Sequence, residues 1–179
     1  MLKKEHYHFI GIGGIGMSAI ALALIKNGYS ISGSDLIENH LMKHLKDLGG
    51  VIFCKQEERN IDFIKQKYCA KRLIIVTSSA IKPTNIELKY CITNHLCIKH
   101  RSEILSLIMR RYDSIAVAGT HGKTSTSTFL STLLDLCTKD CSAIVGGILP
   151  LHNSNAHIKD SKYLVAEIDE SDGSLSNYE

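Results

Sequence analysis

The sequence predicts an α/β fold in which parallel strands alternate with helices. Two glycine-rich segments support this prediction, Gly11–Gly16 and Gly119–Lys123, because each joins a short apolar run to a segment typical of a helix. Composition supports it as well, since 44% hydrophobic and 22% charged residues are ordinary for a folded globular protein. The 179 residues suffice for one large domain or two small ones.

The chain is predicted to open with a strand, a glycine turn and a helix. Tyr7–Ile10 is a short apolar strand, the turn that follows reads G-x-G-x-x-G, and Met17–Lys26 is the helix, which an Asn-Gly pair ends. A second strand, Tyr29–Ser32, comes next, and Asp35 lies about twenty residues beyond the glycines. This order predicts a Rossmann-like βαβ unit that holds a diphosphate at a helix N-terminus.

The glycine motif leaves the ligand open. A nicotinamide or flavin dinucleotide would use Asp35 on its adenosine ribose, whereas a UDP-sugar would place its diphosphate on the same glycines. In a third interpretation, the glycines only permit close packing of the helix against the strand.

The same alternation continues through the first domain. The predicted elements are a helix at 39–48, strands at 51–53 and 72–76, a helix from 85 to 92, a strand at 96–98 and a helix at 102–110. The apolar run at 72–76 suits a central parallel strand, and Ser78 and Ser79 follow it where open α/β sheets bind ligands. Loop capping by these serines is the alternative. We place the domain boundary after Arg111.

The second domain is predicted to begin with a phosphate-binding loop. An apolar strand at 115–118 leads into Gly119-Thr120-His121-Gly122-Lys123-Thr124-Ser125, and a helix then runs to Leu136. Glycines let backbone N–H groups turn toward phosphates, lysine brings charge to the β and γ oxygens, and the threonine hydroxyl reaches Mg²⁺. The general P-loop pattern has glycine where Val117 stands, so this loop is a shortened variant. A plain strand-to-helix turn is the alternative.

Acidic residues follow the last predicted strand. Strands at 142–145 and 162–166 precede the segment Glu167-Ile-Asp-Glu-Ser-Asp172. An acid at the tip of a strand beside a phosphate loop is the usual second protein ligand for Mg²⁺. A solvated acidic loop is the alternative.

Composition excludes several function classes. The formal charge of +3 is spread along the chain without an arginine-rich run, so we expect no nucleic-acid partner. The six cysteines form no C-x-x-C pair, which indicates reduced thiols in a cytoplasmic protein. Zinc binding by Cys91, His95, Cys97 and His100 is a minor alternative. A signal peptide or membrane anchor at 9–25 is another, and four glycines in that stretch argue against it.

Taken together, these motifs resemble the Mur ligase family over the whole chain. The resemblance rests on the glycines at 11–16 with Met17 and Ser18, the loop at 119–124 and the acidic segment at 167–172. It implies a UDP-sugar site at Gly11, Gly13, Gly14, Ile15, Gly16, Met17, Ser18, Asp35, Ser78 and Ser79. It implies an ATP site at Gly119, Thr120, His121, Gly122, Lys123, Thr124 and Ser125. It also implies that Lys123, Thr124 and Glu167 act in catalysis and that Thr124 and Glu167 hold Mg²⁺.

The resemblance implies an ATP-dependent reaction of peptidoglycan precursor synthesis, in which L-alanine is joined to UDP-N-acetylmuramate through an acyl phosphate. His121 is expected to contact ATP and not to act as a base. Family members are longer, so we expect residues 1–111 to form a Rossmann-like UDP-sugar domain and residues 112–179 the incomplete start of a P-loop ATPase-like central domain. Three strands would leave that second sheet open at its edge, and we expect no ligase activity from this chain alone.

Two rival functions remain open at this stage. An NAD-binding oxidoreductase or regulatory module would use Gly11–Asp35, and it leaves the second glycine loop unexplained. A nucleotide-dependent switch protein would use the second loop, and it leaves the first βαβ unit unexplained.

Overall fold

A computed structural model of the protein describes residues 4–69, 71–138 and 140–169. The described elements are β1 (Glu5–Ile10), α1 (Ile15–Lys26), β2 (Ser30–Ser34), α2 (His40–Asp47), β3 (Val51–Phe53), α3 (Glu58–Lys67), β4 (Arg72–Thr77), α4 (Ile86–Thr93), β5 (Cys97–His100), α5 (Arg101–Met109), β6 (Asp113–Val117), α6 (Lys123–Thr138), β7 (Cys141–Leu149), β8 (Ser154–His157) and β9 (Tyr163–Glu167). The chain divides into two compact units between Arg101 and Ser102, N-terminal to the boundary that the sequence suggested after Arg111.

The first unit contains a five-stranded parallel sheet in the order β3-β2-β1-β4-β5. The predicted Rossmann-like parallel sheet is therefore confirmed. The chain runs outward from β1 through β2 to β3 and then crosses back to β4 on the other side of β1, so the strand order reverses between β1 and β4. Open α/β sheets bind ligands at such a switch point, outside the carboxyl ends of the strands. The glycine turn after β1 and the serines after β4 both lie at this edge.

Local sequence explains where the helices of this unit begin. The Asn39 side chain accepts a 3.0 Å hydrogen bond from the Met42 N–H at the start of α2, and the Asn85 side chain accepts a 2.9 Å bond from the Leu88 N–H at the start of α4. Both are N-caps of the usual kind. Helix α1 is buried along 17–24, which accounts for its uniformly apolar sequence. Within the described residues, no helix combines the length and apolar character needed to cross a membrane.

Helix α3 was not predicted from the sequence. Its segment, Glu58–Lys67, is mostly polar, and only Ile61 and Ile64 are fully buried. Two apolar residues one turn apart form a narrow stripe, so the helical period is weak in the sequence.

The second unit contains a four-stranded sheet in the order β6-β9-β7-β8, and the prediction of three strands was wrong. The additional strand, β8, pairs antiparallel with β7, which continues beyond the predicted end at Val145 to Leu149. The sequence of β8 is Ser-Asn-Ala-His, whose polar residues resemble a loop although Asn155 and Ala156 are buried. Helix α6 packs on this sheet. Of the acidic segment, Glu170, Ser171 and Asp172 lie outside the described residues.

Candidate functional site

The glycine turn after β1 is closed by hydrogen bonds to the end of β2. The N–H groups of Gly11 and Ile12 donate to the Ser34 carbonyl at 2.8 and 3.0 Å, and the Gly14 N–H donates to the Gly11 carbonyl at 3.2 Å. Gly11 has φ +84°, a left-handed conformation that favours glycine. The turn is thus anchored to the neighbouring strand before any ligand arrives.

Asp35 belongs to this same bonding pattern. One of its carboxylate oxygens, Oδ2, accepts the Gly13 N–H at 2.8 Å, while Asn39 Nδ2 donates to the Gly13 carbonyl at 2.9 Å. A Cβ atom at Gly13 would lie 2.9 Å from that oxygen and 3.1 Å from Met42 Sδ, so any larger residue would force the hydrogen-bonded Asp35 side chain to move. Asp35 therefore shapes the turn, in addition to facing the cavity described below.

The N–H groups at the start of α1 are oriented outward. Among the described residues, the N–H groups of Gly16 and Met17 donate to no backbone or side-chain acceptor. No acidic residue occupies the first turn of α1, and Gly14 at the N-cap brings no capping side chain. Ser18 is buried, and its hydroxyl donates to the Gly14 and Ile15 carbonyls at 2.8 and 3.1 Å. The first turn of α1 can accept an anion, whereas the turn before it has no spare donors.

A cavity of about 520 Å³ lies against this turn. Five of the residues assigned to the UDP-sugar site line it, namely Gly11, Gly14, Met17, Asp35 and Ser78. The lining also includes residues that the sequence did not single out: Leu36, Gln56, Ala80, Ile81, Lys82, Thr84 and Asn85. Ser79 is absent from this lining. Lys82 brings a positive charge, and the amides of Gln56 and Asn85 are joined by a 2.6 Å hydrogen bond.

Arg101 was also missed in the sequence. A Cβ atom at Gly16 would lie 3.1 Å from Arg101 Nη1, which places the guanidinium against the first turn of α1. A cation beside a helix N-terminus is electrostatically unfavourable by itself, and an anion bound there would be attracted by both. The sequence around Arg101 contains no glycine pattern or motif, so nothing in it marks this residue as part of a site.

The phosphate loop of the second unit is built differently. Gly119 and Gly122 have φ +145° and +75°, and the loop tip at 120–122 is exposed, as is Ser125. Within the described part of the chain, the N–H groups of residues 119–122 donate no hydrogen bond. Lys123 Nζ instead donates to the Gly119 carbonyl at 2.6 Å. An exposed loop with open donors and an ammonium across it is a cradle for phosphates.

Thr124 and Glu167 meet at the end of this loop. Strands β6 and β9 are parallel neighbours, and their register places Glu167 opposite Val117, the residue that leads into the loop. Thr124 Oγ1 donates to Glu167 Oε2 at 2.9 Å. The side chains that the sequence assigned to Mg²⁺ are therefore in direct contact.

Gly146 and Gly147 of β7 complete this site, and neither was assigned a role from the sequence. The Gly146 N–H donates to Glu167 Oε2 at 2.7 Å, and a Cβ atom there would lie 2.9 Å from the same carboxylate. A Cβ atom at Gly147 would lie 2.6 Å from the Thr124 methyl group. The pair of glycines after an apolar strand was the available signal, because glycine in a strand marks a close approach of other groups.

These residues fit ATP with Mg²⁺. A hydroxyl and one carboxylate suit Mg²⁺, which keeps several waters and takes further oxygens from substrate phosphates. No group of three or more His, Cys, Asp or Glu side chains that could hold a metal occurs among the residues described. Cys91, from the alternative zinc cluster, is buried in the core with Ile10 and Ile75, and burial raises the pKa of its thiol to about 12.

The chain is similar to known proteins along most of its length. The model of the Mur ligase family, catalytic domain, matches residues 6–113. A UDP-N-acetylmuramate–L-alanine ligase of Prochlorococcus marinus subsp. pastoris is 64% identical over 175 residues, which are 98% of this chain and 37% of that protein. This chain thus spans little more than a third of the length of that relative.

Solved structures show the same fold. A UDP-N-acetylmuramate-alanine ligase from Thermotoga maritima superposes with a TM-score of 0.79 at 29% identity, covering 93% of this chain and 37% of that one. A UDP-N-acetylmuramate:L-alanyl-γ-D-glutamyl-meso-diaminopimelate ligase from Neisseria meningitides gives 0.82 at 23% identity, covering 94% and 53%. At that identity, the second likeness concerns the fold alone.

Proposed function

Because this chain belongs to the Mur ligase family, we propose that it provides the nucleotide-sugar domain and the first part of the ATP site of a cytoplasmic ligase that joins L-alanine to UDP-N-acetylmuramate. The observation that carries the proposal is the contact of Thr124 with Glu167 beside a loop of open N–H donors. A nucleotide-sugar domain alone would leave the loop at 119–124 without a function. The relative with 64% identity carries the name of this activity.

The first unit would hold the UDP-sugar at the edge of its sheet. The diphosphate would lie at the first turn of α1, where the N–H groups of Gly16 and Met17 are open, with Arg101 and Lys82 supplying positive charge. Gly11, Gly13 and Gly14 would act by shaping the turn, since their own N–H groups are already bonded. The nucleoside would enter the cavity that Asp35 and Ser78 line.

The second unit would hold ATP. Residues 119–122 would donate N–H groups to its phosphates, and Lys123 would leave the Gly119 carbonyl for the terminal phosphate oxygens. Thr124 and Glu167 would hold Mg²⁺, which when bound neutralises charge on the phosphates. Gly146 would keep the Glu167 carboxylate in place.

The proposed reaction has two steps. A carboxylate oxygen of the lactyl group attacks the γ-phosphorus of ATP, the bond to the bridging oxygen breaks, and ADP leaves. The amine of L-alanine then attacks the acyl carbon, the amide bond forms, a proton is released and phosphate leaves. No nucleophilic side chain is needed, because positioning and charge neutralisation lower the barrier.

We further propose that the chain alone is inactive as a ligase. Helix α6 exposes Phe129, Leu133 and Leu136, which are 70%, 46% and 73% accessible and recur on one face. Strand β6 lies at the edge of its sheet and is largely exposed. An apolar helix face and an open edge of this kind are normally covered by further structure. Alanine-dependent phosphate release by the purified chain, given ATP, Mg²⁺ and the UDP-sugar, would contradict this proposal.

Calorimetric titration tests the proposed first site. The chain should bind UDP-N-acetylmuramate and show no binding of NADH at the same concentrations. Arg101→Ala should weaken UDP-sugar binding about fivefold, because a cation near the diphosphate is lost. Arg72→Ala is the matched control, since Arg72 begins β4 at the opposite edge of the sheet. Preferential binding of NADH would replace the ligase proposal with a dinucleotide-binding function.

A further inference from the structure

A network of hydrogen-bonded polar side chains is buried beneath the glycine turn. His6, His8, Ser32, Ser34 and Glu87 are each 0% exposed. His8 Nε2 lies 3.1 Å from Glu87 Oε1, and its other ring nitrogen, Nδ1, lies 2.7 Å from Ser32 Oγ. Ser32 Oγ is also 2.7 Å from His6 Nε2. The chain of contacts runs along β1 and β2, from the amino end of the sheet toward the ligand edge.

Glu87 lies at the end of this network nearest the ligand edge of the sheet, and it accepts three hydrogen bonds there. Besides His8, Asn60 Nδ2 donates to its Oε1 at 2.9 Å, and the Ser34 hydroxyl donates to its Oε2. Withdrawing a carboxylate from water is costly unless its oxygens are hydrogen-bonded, as they are here. Even then, such a group adds little net stability over an apolar core residue, so stability is a weak explanation for its presence.

Two partners of Glu87, Ser34 and Asn60, connect it to segments around the proposed nucleotide-sugar site. The Ser34 carbonyl accepts the N–H groups of Gly11 and Ile12. Asn60 Nδ2 also donates to the Lys55 carbonyl at 2.7 Å, next to Gln56 in the cavity wall. Glu87 itself lies two residues after Asn85, another residue of that wall. A single buried carboxylate therefore joins the glycine turn, the 55–60 segment and the start of α4.

We propose that Glu87 and Ser34 are positioning residues for the nucleotide-sugar site. Through the Ser34 hydroxyl, Glu87 holds the peptide group on which the glycine turn is hydrogen-bonded. Through Asn60, it holds the opposite wall of the cavity. This proposal rests on the proposed function, because it assigns the network to the UDP-sugar site of the first unit.

A serine pair on β2 provides a matched test. Ser34→Ala removes the hydroxyl that bonds Glu87, whereas Ser30→Ala removes a hydroxyl from the far end of the same network, where Ser30 Oγ lies 2.9 Å from both His6 Nδ1 and Lys71 Nζ. Amide hydrogen exchange of Gly11 and Ile12 is measured by NMR in the free chain, and UDP-N-acetylmuramate binding by calorimetry. Urea unfolding of both variants records any general loss of stability.

The expected result is specific to Ser34. Exchange at Gly11 and Ile12 should rise at least tenfold in Ser34→Ala, and the Kd for the UDP-sugar should rise at least tenfold, with neither change in Ser30→Ala. Unchanged exchange in Ser34→Ala, or equal effects of both substitutions, would overturn the positioning role. A third outcome separates the two proposals. If exchange is faster in Ser34→Ala but the wild-type chain does not bind the UDP-sugar, the positioning of the turn is upheld and the proposed function is overturned.

Discussion

Residues 11–14 each donate their backbone N–H within the first unit, whereas residues 119–122 donate theirs to no other described residue. Both segments are glycine-rich and join a strand to a helix, yet only the second presents its own backbone to solvent. In the first, the open donors belong to α1. The glycines of the two loops therefore have different purposes: close packing in the turn, and backbone access in the phosphate loop.

The difference determines which substitutions should matter in each site. The turn is pre-organised by backbone and Asp35 contacts, so added side-chain volume should disrupt it while its exposed positions tolerate change. The phosphate loop is held across its mouth by the Lys123 ammonium, so loss of a functional side chain should dominate there. Four predictions follow this division, from the largest effect to the smallest.

Replacement of Lys123 should separate the two sites most strongly. Lys123→Ala removes the charge proposed for the terminal phosphates of ATP, and ATP affinity should fall at least 100-fold in fluorescence or calorimetric titrations. UDP-N-acetylmuramate binding should stay within twofold of the wild type. Lys89→Ala is the control, because the Lys89 side chain is exposed on α4, in the first unit. Loss of both ligands in Lys123→Ala would contradict the division into two sites.

Adding one methyl group to the turn should distinguish neighbouring glycines. In Gly13→Ala, the new Cβ would meet the Asp35 carboxylate at 2.9 Å and force the turn to shift, so the Kd for the UDP-sugar should rise about 30-fold. Gly14→Ala is the comparison for the turn itself, because the φ of Gly14 is −61° and its Cβ would make an ordinary 3.4 Å contact. Since Gly14 also lines the cavity, the two variants are compared by amide exchange in the free chain, which should rise at Gly11 and Ile12 in Gly13→Ala and not in Gly14→Ala. Equal exchange in the two variants would show that packing does not shape this turn.

A substitution and a second, compensating substitution can test the role of the glycine pair in β7. In Gly147→Ala, the new Cβ would clash with the Thr124 methyl group at 2.6 Å but would lie 4.0 Å from its hydroxyl oxygen. Mg²⁺-dependent ATP affinity should fall about tenfold. Adding Thr124→Ser removes only the methyl group and should restore most of that affinity. A double variant as weak as Gly147→Ala would rule out this clash as the cause.

Acid should weaken the first unit through the buried side chain of His6. Burial, with His8, Lys71 and Lys67 nearby, lowers the pKa of His6 to about 3 from 6.5. The folded state thus keeps His6 neutral, and its contribution is fully present above pH 6.5 and is lost progressively as pH falls from there toward 3. Between pH 7 and 6, His6 alone should reduce the free energy of unfolding by about 0.7 kcal/mol.

Urea unfolding of His6→Gln at the same two pH values checks this prediction. The variant should lose that part of the pH dependence while keeping the remainder. An unchanged slope between pH 7 and 6 would mean that the pKa of His6 is the same in the folded and the unfolded chain.

The sequence predicted what depends on periodicity and on glycine motifs. Apolar runs such as 72–76 indicated the central strands, and the G-x-G-x-x-G turn indicated the first unit correctly. The sequence could not reveal β8 or α3, because their own residues are mostly polar and their burial depends on neighbours distant in the chain. The sequence suggested that Asp35 contacts the bound UDP-sugar. Its hydrogen bond from the Gly13 N–H was not predicted, because that bond depends on a turn geometry that residue spacing does not encode.

The site in the second unit was easier to predict in part. Lys123 and Thr124 are specified by a motif, and Glu167 by its place at a strand end. Gly146, Gly147 and Arg101 carry their roles only through proximity in the fold. Residues that act by making space, or by charge from a separate element, have little signature in one sequence.

The most direct test of the contrast between the loops is backbone amide exchange by NMR, with and without each ligand. In the free chain, the amides of residues 11–14 should exchange slowly and those of 119–122 rapidly. UDP-N-acetylmuramate should slow exchange at Gly16 and Met17, and ATP with Mg²⁺ should slow it at 119–122. Rapid exchange of 11–14 in the free chain, with slowing there only when the UDP-sugar binds, would show that the glycine turn cradles the ligand with its own N–H groups and would contradict this account.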